Sequence, residues 1–469
     1  MQRILFTSSS DESIKMKMTF KESRAFKIIS DIIRIAVVAA VLALVLTKLT
    51  TITERKASRE KYGYFFEESD NIDVLFVGSS HTINGVFPME LWDEQGITSY
   101  NIGGHGNVMA TNYWSLLNAL DYADPKLVVI DVMNMEADEK TSGQFSHVHL
   151  SLDAFPLSRT KYRAISDLLD DPGMAERLAN SETDDQGEER TKLGILWDYS
   201  VYHNRWKELD KKDFEPEYSI EMGAESRVAV AQAADYSRID KNERWQENVS
   251  TDYLRRTISE CQSRGIDVLL TFLPFPANEV QQLAANNAID IAEEMNVDFI
   301  DFLDLEVVDF DVDLYDSDSH LNTSGARKAT KYLGQYIRDN YDIPDRRSDE
   351  TCTQWNDYYV EYVSILENEL QREQRLDNYL MLLADDKYKV SMELRNDVIL
   401  SEYPYPELIN NLSMENAGDN IYTNCDMDVG SEPETDDYDV RILVYDAKSG
   451  EMIDDSFWNY NNAVAQRIE

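Results

Sequence analysis

Cysteine is scarce. The 469 residues contain only Cys261, Cys352 and Cys425, widely separated and with no C-x-x-C pair. That allows at most one disulfide and excludes a zinc site built from cysteine alone. Positive charge is also in short supply: 45 Lys+Arg stand against 88 Asp+Glu, a formal net charge of −43. Sequence-independent binding to DNA or RNA needs clustered cations to displace counterions from phosphates, so an excess of the opposite sign excludes it. No internal repeat or low-complexity tract is visible. Apolar material is ample, at 43% hydrophobic and 10% aromatic. That is enough to bury a core and to exclude wholesale disorder. The length suits roughly three domains.

Charge is unevenly divided. Residues 1–62 contain twelve Lys+Arg and six Asp+Glu, a local +6, which leaves −49 on the remainder. A basic arm ahead of a very acidic body is the asymmetry expected when the two parts face different compartments. Between them, Ile35 to Thr47 runs thirteen residues without a charge. Ile28, Ile29, Ile32 and Ile33 extend the pattern upstream across Asp31 and Arg34. The long stems of Arg34 and Lys48 can carry their charges to the headgroups. A transmembrane span over 29–49 is therefore expected, close to the roughly 20 residues a bilayer requires. A buried soluble helix would not show this all-apolar circumference, and no small-x-small cleavage site follows Leu46. The segment reads as an uncleaved signal anchor. Six basic residues in 15–34 against five in 48–62 place residues 1–28 as a cytoplasmic arm, with the bulk of the chain outside.

Beyond the anchor, strand and helix patterns alternate. Ile72–Val77 is a short apolar strand, Ser99–Ile102 a second, Leu127–Val132 a third, Ile266–Leu273 a fourth and Val297–Phe302 a fifth. Helical patterns occupy 108–122, 253–264, 279–296 and 323–341. Such alternation predicts an α/β domain over 66–345, with a parallel sheet covered by helices on both faces. Ligands of such sheets bind beyond the carboxyl ends of the strands. Residues from about 137 to 248 break the rhythm and read as an insertion over that functional edge, with Ser181–Arg190 a solvated loop. From 350 to 469 a small accessory α+β domain is expected: a long charged helix over 354–385, strands at 388–394 and 438–445, and a turn at 446–450.

Two stretches carry chemistry. Gly78-Ser79-Ser80-His81 follows the first strand, and Asp316-Ser317-Asp318-Ser319-His320-Leu321-Asn322 precedes the last helix of the domain. A serine at such a turn becomes a nucleophile when a histidine takes its proton and a carboxylate orients that histidine. The G-x-S-x-G elbow of α/β-hydrolases is absent.

In these two blocks the chain resembles the SGNH (GDSL-type) hydrolase superfamily. Gly-Ser-Ser in place of Gly-Asp-Ser is similar to membrane-anchored, envelope-modifying members such as proteins of D-alanine transfer and alginate O-acetylation. The resemblance implies a flavodoxin-like three-layer fold, Ser80 as nucleophile and His320 as base. It also implies Asp318 as the carboxylate, by the Asp-x-His spacing of the alginate branch; Ser317 stands at the more usual Asp-x-x-His position and Asp316 lies one residue further off. Oxyanion donors would be the amide of Ser80, Gly103 or Gly104, and an asparagine. No Gly-x-Asn-Asp block follows the third strand, which leaves Asn134 and Asn107 as candidates.

His81 is expected to contact the site or the substrate, and His105 either lines it or packs. His147, His149 and His203 read as surface or packing residues, with a metal at His147-Val148-His149 only if a strand paired them. Asp309-x-Asp311-x-Asp313 lacks the glycine and distal glutamate of a calcium loop and reads as a solvated acidic loop. The expectation is a single-pass membrane serine esterase or O-acyltransferase acting on an acylated envelope glycan or small ester, without metal or organic cofactor. The tail could dock a membrane acyl-donor partner. The alternative is a catalytically inactive protein of the same fold that binds glycan or serves assembly.

Overall fold

A computed structural model describes the chain apart from residues 1–8, 54–55, 171, 173–193, 195, 198–201, 396, 419, 426–436, 462–463 and 469. The loop expected at Ser181–Arg190 lies outside the described residues. The chain divides into two compact units, residues 1–54 with 198–215, and residues 55–197 with 216–469.

In the first unit, α1 runs unbroken from Ser9 to Thr53. Phe26–Thr53 is apolar and long enough to cross a membrane, and none of its most apolar stretch is buried against protein. Twenty-eight residues at 1.5 Å each reach about 42 Å, more than the roughly 30 Å of a bilayer's hydrocarbon.

The second unit begins with α2 (Lys56–Glu68), whose Tyr62 and Phe65 are buried. Five strands follow: β1 (Val74–Val77), β2 (Ser99–Asn101), β3 (Leu127–Asp131), β4 (Asp267–Phe272) and β5 (Asp298–Asp301). They lie in the order β2-β1-β3-β4-β5, every pair parallel. Successive side chains of a strand point to opposite faces. Leu75, Val77, Val128, Ile130, Val268 and Leu270 accordingly join one core cluster. Val74, Phe76, Leu127, Val129 and Leu269 join another on the other face. The first layer includes α5 (Met109–Ala119), α8 (Val249–Ser263) and α9 (Glu279–Met295). The second includes α4 (Pro88–Gln95) and α10 (Thr323–Asn340). Between β1 and α4 lies the short helix α3 (Ser80–Gly85).

Of the insertion, α6 (Phe145–Leu152) and α7 (Arg159–Leu168) are helical, and 223–248 runs mainly without regular structure. The segment 223–234 bonds to both chemistry-bearing loops. Glu225 N–H donates to Ile83 O at 3.0 Å, beside the Ser80 turn, while Ala231 N–H reaches Leu314 O at 2.9 Å and Ala234 N–H reaches Ser317 O at 2.6 Å.

The helix expected over 354–385 is two helices, α11 (Thr353–Arg372) and α12 (Leu376–Leu382). The backbone at 374–375 is extended because it pairs with the last strand, Arg375 against Gln466. Among the described residues of 388–467, six strands form an antiparallel sheet: β6 (Tyr388–Leu394), β7 (Glu415–Gly418), β8 (Ile421–Thr423), β9 (Val440–Asp446), β10 (Met452–Asn461) and β11 (Val464–Arg467). A buried ionic cluster joins it to the α/β core. Arg327 of α10 lies 3.3 Å from both Glu90 of α4 and Asp385, and donates to Leu382 O at 2.9 Å. Lys387 also binds Glu90, and the Tyr362 hydroxyl donates to Glu90 at 3.0 Å.

Candidate active site

β1 ends at Val77, and the next three residues turn the chain into α3. Gly78 is required there because a Cβ would overlap Thr82 Oγ1 and crowd Asp131. Ser79 is buried and caps α3, its hydroxyl accepting from His81 N–H at 3.3 Å. Capping of this kind satisfies one of the amides that a helix start leaves unpaired. Ser80 is the first helical residue and is partly exposed at the carboxyl edge of the sheet.

The second loop closes on itself. Leu314 pairs with Leu321, and Tyr315 N–H donates to His320 O at 2.8 Å. Asn322 secures its base by capping α10 and donating to Val312 O at 2.7 Å and Leu314 O at 3.2 Å. His320 is thereby brought to Ser80, with Nε2 2.9 Å from Oγ although 240 residues separate the two in sequence. Nδ1 of His320 lies 2.6 Å from Asp316 Oδ2. Because a carboxylate accepts, Nδ1 carries the proton and Nε2 is left to accept from the serine hydroxyl.

The carboxylate on the imidazole is thus that of Asp316, not the expected Asp318. The closed loop sets residues 316 and 320 facing each other and puts 317–319 at its tip. Asp318 is exposed there and accepts only from the Ser319 hydroxyl, at 3.0 Å. Asp316 also accepts from the amides of Ser319 (2.9 Å) and His320 (2.8 Å). Partial burial pushes its pKa up, but the bonds from His320 and these amides outweigh burial and hold it below the ordinary carboxylate value.

His81 packs edge-on to Phe275 with ring centroids 4.6 Å apart and against His320 at 5.1 Å, and its Nδ1 lies 3.4 Å from the Ser79 hydroxyl. Burial, with the nearby His320, lowers its pKa to about 3. It therefore stays neutral beside His320. His105 lies beside the site's glycine turn, 3.1 Å from Glu225, which also pairs with Arg227 at 2.9 Å. Beneath the Ser80 turn, Asp131 at the end of β3 accepts from Leu273 N–H at 3.3 Å and from the Thr82 hydroxyl at 3.4 Å. Burial raises its pKa to about 7.

Of the expected oxyanion donors, Gly103, Gly104 and Asn134 bond elsewhere. Gly103 N–H donates to Asn101 Oδ1 at 3.1 Å and Gly104 N–H to Gly78 O at 3.0 Å. Asn134, in a left-handed conformation (φ 67°), donates to Asn107 O at 2.9 Å. Asn107 is the asparagine nearer the turn. Ser151 Oγ donates to its Oδ1 at 2.6 Å, which leaves Nδ2 directed at Gly78 O, 3.5 Å away. The Ser80 amide is the other nearby donor, one of the four a helix start leaves without an intrahelical partner.

The remaining candidates are apart from this site or serve packing. His147 and His149 lie on α6, where neighbours two apart do not face each other; they bond Ser142 and Asp153, each at 2.8 Å. His203 belongs to the other unit. Asp313 is bound by Ser324 at 2.7 Å and by Lys328, and Asp309 accepts from Asp311 N–H at 3.0 Å.

No family model matches the chain, and no curated protein matches it. Among solved structures it is similar to "a putative acylhydrolase" from Bacteroides fragilis NCTC 9343, at 13% identity and a TM-score of 0.29, over 61% of this chain and 98% of that one.

Proposed function

We propose that the chain is a membrane-anchored, extracytoplasmic serine esterase or O-acyltransferase acting on acyl esters of cell-envelope glycans. The observation that carries this reading is the continuous series Asp316–His320–Ser80, with spacings of 2.6 and 2.9 Å, at the carboxyl edge of a parallel sheet. Ser80 Oγ attacks the acyl carbonyl as His320 Nε2 takes its proton. Asp316 holds the ring tautomer and stabilises the imidazolium. The Ser80 amide and Asn107 Nδ2 bond the developing oxyanion. His320 then returns the proton to the departing alkoxide, and water or a sugar hydroxyl collects the acyl group by the reverse sequence. The glycan substrate rests on the resemblance of the Gly-Ser-Ser and His-Leu-Asn blocks, and the anchor on the apolar length of α1.

The test is turnover of a p-nitrophenyl acyl ester together with labelling by a fluorophosphonate. Both are expected from the purified protein and neither from Ser80→Ala. Unchanged hydrolysis by Ser80→Ala, or labelling that persists, refutes the assignment. The engagement of Gly103, Gly104 and Asn134 elsewhere favours the second reading, a catalytically inactive glycan-binding or assembly protein. Glycan binding with no labelling of Ser80 would select it.

A further inference from the structure

We propose that residues 203–214 are a second membrane contact, with Trp206 and Phe214 entering the headgroup layer of the bilayer that α1 crosses and Lys207, Lys211 and Lys212 meeting anionic headgroups. The proposal rests on reading α1 as a membrane span.

Although it lies far along the sequence, this segment belongs to the same compact unit as α1. Arg205 donates to Thr53 O at 2.8 Å and pairs with Asp213 at 2.7 Å. Thr53 is the last described residue of α1, and its carbonyl is fixed to the segment by this guanidinium. Lys48 is the first charge after the uncharged run 35–47, and five residues further, at 1.5 Å each, put that carbonyl about 8 Å beyond it, at headgroup depth. The turns built on this anchor, His203–Lys207 and Lys211–Asp213, are therefore at headgroup depth as well.

Their composition suits that depth. Trp206 is 64% exposed and Phe214 60%, although buried Asp213 between them ties the segment down. Large apolar side chains held outward by a fixed turn are costly in water, whereas Trp is favoured at a membrane–water interface. Lys207 Nζ lies 5.8 Å from the Trp206 ring, and Lys207, Lys211 and Lys212 are exposed. Four Lys+Arg balance four Asp+Glu across 203–215, within a body that is otherwise heavily acidic. The segment is thus a local exception to a charge that anionic headgroups would repel.

The test places the full-length protein in nanodiscs of phosphatidylcholine and phosphatidylglycerol, with or without bromine on the acyl chains near the headgroup, and reads tryptophan emission. Trp92, Trp114, Trp355 and Trp458 are at most 2% exposed and should respond little. In a background in which the partly exposed Trp197 and Trp245 are replaced by Phe, brominated lipid should quench part of the emission, and Trp206→Phe should abolish that part. A triple charge reversal of Lys207, Lys211 and Lys212 to Glu should reduce the quenching when phosphatidylglycerol is present, and not in pure phosphatidylcholine. Circular dichroism checks that each variant folds. Carbonate extraction of membranes reads the span separately. A carbonate-resistant protein whose quenching is the same in Trp206→Phe overturns the second contact and leaves the anchor standing. A carbonate-extracted wild type overturns both.

Discussion

Replacing Asp316 by Asn tests the proposed mechanism most sharply, because Asp318 two residues on provides the matched control. The amide keeps the shape but loses the charge, and it can present an N–H where the imidazole Nδ1–H must donate. Two unit charges about 4 Å apart near a protein surface interact by about 4 kcal/mol at an effective dielectric of 20. The Asp316 side chain is 35% exposed and that of His320 25%, so solvent screening reduces this to about 3 kcal/mol. At 1.36 kcal/mol per decade, the imidazolium formed in the transition state loses about a hundredfold in rate. Asp318→Asn keeps an oxygen that can accept from the Ser319 hydroxyl, removes a charge that does not touch the imidazole, and should stay within about twofold. Initial rates of p-nitrophenyl ester hydrolysis, measured under conditions limited by kcat/KM, read both variants. A rate in Asp316→Asn within a few-fold of wild type, or a loss confined to Asp318→Asn, would refute the assignment of the carboxylate.

Two further outcomes follow from the surroundings of the turn. Asn107→Ala should lower kcat about 10²-fold with little change in KM, as loss of an oxyanion donor does, while Asn134→Ala should change kcat far less; equal effects would show that Asn107 is not the donor. Asp131, with its pKa raised to about 7 by burial, stays protonated in the folded state at pH values where the unfolded chain has already ionised. The unfolded state then binds fewer protons, so stability falls as pH rises from about 4 through 7. Asp131→Asn should remove that slope, making the variant more stable than wild type at pH 8 by an amount on the order of 3 kcal/mol and nearly equal to it at pH 4. Denaturant midpoints at the two pH values check this; a wild type that gains stability relative to Asp131→Asn on going to pH 8 would contradict it.

The parts of the fold legible in the sequence were those with a continuous apolar signal. β1, β3 and β4 are buried on both faces, and such strands stand out as unbroken runs without any need for periodicity. The tail was harder. β10 reads Met-Ile-Asp-Asp-Ser-Phe-Trp-Asn-Tyr-Asn, and its register shifts between Met452 and Asp454, which destroys the alternation by which a half-buried strand is recognised. The break between α11 and α12 has no glycine or proline to announce it; a backbone pairing made 91 residues away, Arg375 with Gln466, sets it. At the site, the positions of Ser80 and His320 at strand and helix boundaries were readable. The choice among Asp316, Ser317 and Asp318 was not, because spacing cannot reveal which way a loop closes. The same limit applies to Gly103 and Gly104: Asn101 Oδ1 and Gly78 O claim their amides, and only the folded chain brings those acceptors there.

The distance along the chain between hydroxyl and imidazole has a consequence for how the molecule matures. Since 240 residues separate Ser80 from His320, no nascent chain that stops short of the later loop can hold the pair. The segment at 223–234 that bonds to both loops is itself synthesised between them. The Ser80–His320 pair on which the proposed function rests therefore forms at a late moment, after β4 and β5 have been made, and a truncated or stalled product lacks it.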